Sequence, residues 1–161
     1  MILLNYYGNI INKTKAIYNR VPITKFPIHL DIGCGKKTRD GYKGLDIIDF
    51  SQEFVWDIEK GLPLPDKSVS DIYSSHTFEH LHNLIFIMNE CWRVLVKNGI
   101  LYIIVQHMKR EEAFDPTHKR FFNEQTWRAF EKEFISCEVR PWEILDYVEN
   151  ERLDIHVKLT K

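Results

Sequence analysis

Apolar positions along the chain follow two patterns that alternate. Short, nearly continuous runs occur at Ile28 to Ile32, Lys43 to Ile47, Phe54 to Asp57, Val69 to Ser75 and Ile100 to Val105, the pattern of strands buried on both faces of a parallel sheet. Between the last two, Leu81, Leu84, Ile85, Met88, Trp92 and Leu95 recur every three or four residues and predict an amphipathic helix that ends near Asn98-Gly99. A second helix is expected from an Asn123 cap, with Trp127, Phe130 and Phe134 facing inward. Two late strands are expected, from Ile135 to Arg140 and from Arg152 to Leu159, and a short helix from Asn9 to Arg20, closed by Pro22 and Pro27.

Strands alternating with helical segments imply an α/β domain with a largely parallel sheet. Ligands of such sheets sit beyond the carboxyl ends of the strands, where the strand order reverses. Only a turn or two of helix fits between Gly35 and Asp46, so the first crossover is shortened relative to the usual dozen or so residues.

At 161 residues, 44% of them hydrophobic, the chain suits one domain with a single core. Its expected parts are an N-terminal cap segment over 1–27, a binding core over 28–134 and C-terminal strands over 135–161. A formal charge of -1 supplies no field for holding a polyanion, and Lys36, Lys37 and Arg39 form only a small basic cluster. Three separated cysteines without a Cys-x-x-Cys pair argue against a disulfide framework and a structural zinc site. Met1 to Leu4 lacks the features of a signal peptide, and no apolar run approaches the roughly 20 residues needed to cross a bilayer. A cytoplasmic protein with no membrane partner is therefore expected.

The candidate chemistry begins at Leu30-Asp31-Ile32-Gly33-Cys34-Gly35. Two glycines directly after a buried strand let backbone approach a ligand closely, and Asp46 and Asp57 end the next two strands. A dinucleotide fingerprint would place a third glycine where Thr38 stands and an acid about 20 positions on, whereas Asp46 arrives early. The short crossover also leaves little helix to hold a pyrophosphate. A nucleoside without phosphates fits better than a nicotinamide dinucleotide.

These residues, with Trp56-Asp57-Ile58, Leu62-Pro63-Leu64-Pro65-Asp66, Glu79-His80 and Arg93-Val94-Leu95-Val96-Lys97-Asn98-Gly99, resemble the class I S-adenosylmethionine-dependent methyltransferases, specifically the small type 11 proteins. The likeness runs from Ile28 to Phe134. It implies a minimal, Rossmann-like, doubly wound sheet, with S-adenosyl-L-methionine as cofactor and S-adenosyl-L-homocysteine as product. It further implies that Asp31 and the Gly33, Cys34, Gly35 turn line the methionine part, and that Asp46, followed by Ile47, accepts from both ribose hydroxyls. Asp57 would accept from the adenine amino group, the Ile58 amide would meet a ring nitrogen, and His76 would lie near the sulfonium. Lys36 stands where many relatives carry a further glycine, and Lys97-Asn98-Gly99 replaces a common Lys-Pro-Gly-Gly turn.

On the acceptor side, Asp115-Pro116-Thr117-His118-Lys119-Arg120-Phe121-Phe122 resembles a segment that many type 11 proteins carry, some associated with surface-sugar methylation. His118 is the expected base or orienting group and Arg120 an anchor for an anionic substrate, with His107 either facing the same pocket or supporting it. Asp115 and His118 could instead tie the loop together. His76, Glu79 and His80 do not make a metal site, because adjacent helical residues diverge and no third ligand is suitably spaced. The expected activity is methyl transfer to a hydroxyl or amine of a small-molecule or glycan-type acceptor. The alternative is a catalytically silent binding or regulatory module, suggested by the short crossover. A nucleic-acid acceptor is disfavoured, since Ser74-Ser75-His76-Thr77 stands where an Asn-Pro-Pro-Tyr-type segment would be.

Overall fold

The computed structural model describes residues 25–131 and 139–161. Its elements are β1 (Ile28–Ile32), β2 (Lys43–Asp46), β3 (Phe54–Val55), β4 (Val69–Ser75), α1 (Leu84–Val94), β5 (Leu95–Gln106), α2 (Glu124–Arg128), β6 (Glu143–Glu149) and β7 (Asp154–Thr160), with single 3-10 turns at Ile58–Lys60, Phe78–His80 and Glu111–Phe114. They form one sheet in the order β3-β2-β1-β4-β5-β7-β6. Five strands run parallel, and β7 lies antiparallel between β5 and β6. The order reverses between β1 and β4, so the carboxyl ends of those two strands flank the switch point where α/β sheets bind ligands.

One face of the sheet is apolar. Leu30, Ile32, Ile72, Leu101, Ile103 and Val105 are buried there with Ile87, Met88, Cys91 and Val94 of α1. Stacked Phe122 and Trp127 and buried Trp142 extend the core towards β6 and β7. The other face is aromatic and polar: Tyr42 of the crossover, Tyr73 of β4, Tyr102 of β5 and His156 of β7 follow one another in ring contact. The abbreviated crossover lies over this face without forming a helix. Its Arg39 sits 4.5 Å from the centre of the Tyr73 ring, and the Arg39 amide donates to Asp31 Oδ2 at 2.8 Å. A cation stacked on an aromatic ring thus covers sheet that a crossover helix would otherwise cover.

The strand expectations for β1 and β4 coincide with the observed bounds, while β2 and β3 end one and two residues early. Three other expectations are corrected. The first helix stops at Val94, not near Asn98-Gly99: Leu95 is already extended and pairs with Val69, and the next pair is Asp71 with Ile100. Val96 to Gly99 bulge between those pairs, with Asn98 at φ 61°, so the glycine signal marks a bend in β5 rather than a helix cap. The buried stripe of that helix is Leu84, Ile87, Met88, Cys91 and Val94, whereas Ile85 is exposed. Finally, the strand that pairs with β7 is Glu143–Glu149, whose outward residues are mostly charged and hide its periodicity. The expected strand from Ile135 falls largely outside the described residues, as do Phe134, the helix from Asn9 to Arg20 and nearly all of the cap segment. The Asn123 cap is observed, its side chain accepting from the Thr126 amide at 3.1 Å.

Candidate active site

The rim at the carboxyl ends of β1 to β5 gathers most of the candidate residues. At the β1 end the chain turns sharply, and the amides of Gly33 and Cys34 both donate to Leu45 O, at 2.7 and 3.3 Å. Gly33 has φ 70°, and a Cβ placed on it would lie 1.9 Å from Thr77 Oγ1. The turn is glycine there because the β1 and β4 ends touch. Gly35 has φ 57° but faces open space, so its requirement is conformational alone and its bare backbone is available to a ligand.

Asp46 is tied to that turn. Its Oδ2 accepts from Gly35 N at 2.9 Å and its Oδ1 from Ile48 N at 2.9 Å. A carboxylate has about four acceptor positions, so each oxygen keeps capacity for a further donor such as a ribose hydroxyl. Beside it Ile47 and Ile48 are exposed at 66% and 57%, an apolar ledge next to a half-buried acid. That combination fits the sugar and base of a nucleoside.

Asp31 is buried at the end of β1, and burial raises its carboxyl above the usual range despite the bond from the Arg39 amide. A cleft of about 410 Å³ opens beside it, lined by Asp31, Gly33, Cys34, Arg39, Tyr73 and Ser75. Burial likewise raises the Cys34 thiol, so it stands there as a thiol rather than as a nucleophilic thiolate. Asp57 caps the Ile58–Lys60 turn, accepting from Glu59 N at 3.1 Å, with Lys60 Nζ 3.2 Å from its second oxygen. The Ile58 side chain is in the core.

The β4 end carries His76 in the left-handed region at φ 52°, its amide donating to Ile104 O at 2.9 Å. Its Nδ1 lies 3.2 Å from Oε1 of Glu79, which is 1% exposed. The hydrogen bond to Glu79 raises the proton affinity of His76 against the opposing effect of burial. The sequence placed Glu79 only among the residues of the family resemblance and in a metal set that its spacing disfavoured. The three-residue step from His76 to Glu79, spanning one turn, was the available signal.

The loop after β5 is held against the Phe78–His80 turn. Lys119 N donates to Glu79 O at 2.7 Å, and the His80 and His118 rings meet edge to face at 4.8 Å. His118 Nδ1 is 3.2 Å from Ala113 O. The Arg120 guanidinium donates to the carbonyls of Leu81 and His82, binding loop to turn rather than projecting free for an anion. His107 is buried, its Nδ1 accepting from Lys109 N at 3.0 Å, which makes it a support of the loop. Among the described residues no group of three or more histidines, cysteines and acids is placed to hold a metal ion, and no helix is long and apolar enough to cross a membrane.

Residues 30–103, covering the glycine turn, all three rim aspartates and the His76 to Glu79 turn, match the family model described as a methyltransferase domain. Over that stretch the chain is similar to methyltransferase domains. Solved structures share the fold of the chain. A SAM-dependent methyltransferase from Aquifex aeolicus is 18% identical with a TM-score of 0.58, the match covering 82% of this chain and 80% of that one. One from Archaeoglobus fulgidus is 18% identical with a TM-score of 0.61, covering 97% and 93%. The (4+2)-cyclase SpnF is 15% identical with a TM-score of 0.63, covering 93% and 80%. No curated protein matches the chain in sequence. The presence of a cyclase among these structures means that the fold by itself does not specify the reaction.

Proposed function

We propose that this protein is an S-adenosylmethionine-dependent methyltransferase that methylates a hydroxyl or amine of a small-molecule or sugar-type acceptor. The observation that carries the reading is the join between Asp46 and the Gly35 backbone, set beside the exposed Ile47 and Ile48. It makes a rim that is bare, acidic and apolar within a few residues, the chemistry a nucleoside without phosphates requires. The residues fit the cofactor that the family implies. Gly33, Cys34 and Gly35 with Asp31 would hold its amino-acid part, Asp46 and Ile47 its ribose, and Asp57 and Ile58 its base. Bound there, S-adenosylmethionine supplies a methyl carbon made electrophilic by a sulfonium.

The remaining work is alignment, and alignment of reacting groups contributes roughly 7–11 kcal/mol in favourable systems. His76 stands at the end of the strand next to the switch point, on the side facing the β5 loop. His118, on that loop, orients the acceptor, and Arg120 fixes the loop that carries it. A modest acceptor suits this rim, since the described residues include no separate substrate domain.

Calorimetry with S-adenosylmethionine and S-adenosylhomocysteine tests the reading. Both bind the wild-type protein, and Asp46→Ala weakens both by roughly tenfold or more, the scale of a lost hydrogen bond to a charged group. No heat of binding at millimolar ligand, with Asp46→Ala indistinguishable from wild type, overturns it. Labelled methyl groups appearing on members of an acceptor panel separate an enzyme from a silent binding module of the same fold.

A further inference from the structure

We infer that Glu79 and His76 form a proton-accepting pair on the acceptor side of the rim, with Glu79 the positioning residue that holds the imidazole so that its Nε2 takes the proton released by a hydroxyl or amine acceptor. The inference rests on the methyltransferase reading and assigns the group that takes the proton a hydroxyl or amine acceptor loses as it gains the methyl.

The geometry sets the tautomer. Glu79 Oε1 lies 3.2 Å from His76 Nδ1, and a carboxylate accepts, so Nδ1 is the protonated nitrogen of the neutral ring. Nε2 then carries the lone pair and has no partner among the described residues. The same Oε1 accepts from Gln106 N at 2.9 Å, which fixes the carboxylate against the end of β5. A purely structural Glu79 would need no more than that one oxygen. Oε2 is nevertheless buried without a partner, as is Oε1 of Gln106. Burying unpaired acceptors is costly, and such groups concentrate where a low-dielectric site needs them.

The His76 backbone is held in an uncommon conformation at φ 52°, with its amide donating to Ile104 O. Three charged groups surround it: Glu79 from the turn, Asp154 from β7 and Arg110 from the turn after β5. Arg110 is itself paired with Asp154 at 2.5 Å, so the Glu79 carboxylate is the one that bonds the imidazole.

In the transfer, a lone pair on the acceptor oxygen or nitrogen forms the bond to the methyl carbon while the carbon–sulfur bond breaks and leaves its electron pair on sulfur. The acceptor proton passes to His76 Nε2, and the resulting imidazolium is balanced by Glu79 until water removes the proton. Glu79 does not touch the reacting atoms. Its effect is carried through the ring.

Histidine-ring NMR titrations of the wild type and Glu79→Gln, each with S-adenosylhomocysteine and with S-adenosylmethionine, test the pair. The glutamine carbonyl can still accept from Gln106 N, so the fold is retained while the charge is lost. Two results are expected: Glu79→Gln lowers the proton affinity of His76 by about twofold, the scale of a pair with one half-exposed partner, and in the wild type the sulfonium cofactor lowers it relative to the neutral product. A His76 midpoint that is the same in wild type and Glu79→Gln, or the same with both ligands, overturns the inference. The wild-type ligand comparison decides alone should Glu79→Gln not fold. Failure of both ligands to bind overturns the methyltransferase reading itself, whereas binding with an unmoved His76 overturns the pair and leaves that reading standing.

Discussion

From β1 to β3 every rim aspartate already accepts a backbone amide: Asp31 from Arg39, Asp46 from Gly35 and Ile48, and Asp57 from Glu59. From β4 to β5 the buried polar groups are under-used, with one oxygen each of Glu79 and Gln106 left unpaired. The difference matches the two tasks proposed for the halves. Holding a nucleoside calls for acceptors fixed in advance, and a carboxylate anchored by amides loses little freedom when a hydroxyl arrives. Moving a proton calls for a base held in one orientation, and the buried Glu79 carboxylate, 3.2 Å from His76 Nδ1, would hold the ring with its Nε2 left open.

The largest disturbance to this arrangement is expected where its halves touch. Gly33→Ala places a Cβ against Thr77 Oγ1 and forces an L residue to φ 70°, so urea denaturation should show a loss of about 2–4 kcal/mol, the sum of left-handed strain and overpacking. In a Thr77→Ala background part of that loss is recovered, because the hydroxyl at 1.9 Å is gone while the Thr77 Cβ at 2.8 Å remains. An equal loss in both backgrounds would mean that the β1 and β4 ends are not in contact.

Asp46→Ala comes next. It strips the acceptor from two turn amides and costs about 1–3 kcal/mol in the same assay. Asp46→Asn retains an acceptor and costs less. Gly35→Ala is milder still, about 1–2 kcal/mol of strain with nothing to strike, and its effect on ligand affinity exceeds its effect on stability if backbone there meets the cofactor.

The smallest effect is a pH dependence from the other half. His76 holds its proton more tightly in the folded chain than in the unfolded one, because Glu79 bonds it. The pair's contribution is therefore fully present below the ordinary histidine value of about 6.5 and is lost as pH rises through the raised folded value. The ring is 42% exposed, so solvent screening limits the term to a few tenths of a kcal/mol. The stability gap between wild type and Glu79→Gln should be wider at pH 5.5 than at pH 9. A gap independent of pH would show that Glu79 acts only through Gln106.

Much of the fold was legible because buried parallel strands write themselves as apolar runs: β1 and β4 match their expected bounds residue for residue. The Leu95 to Gly99 stretch misled for a definite reason. Leu95 is buried whether it closes a helix or opens a strand, so the helical spacing continued through a residue that pairs with Val69. β6 was missed because its side chains are half-exposed or exposed, three of the seven are acidic and break its apolar spacing, and its pairing with β7 is made by backbone. In the site, Arg120 illustrates the same boundary, since no spacing rule foretells that a guanidinium will be used by the Leu81 and His82 carbonyls.

What the chain dictates locally is the order of its strands, the glycine turn after β1, the acids that end β2 and β3, and the Asn123 cap, since each depends on residues within a few positions of one another. Tertiary structure alone decided which oxygen meets which donor. Asp46 and Gly35 are 11 positions apart, and Glu79 and Gln106 are 27, so their hydrogen bonds exist only once β1, β2, β4 and β5 lie side by side in register. Whether a carboxylate is spent on backbone or left free depends on that neighbourhood, and the neighbourhood is a product of folding rather than of spacing along the chain.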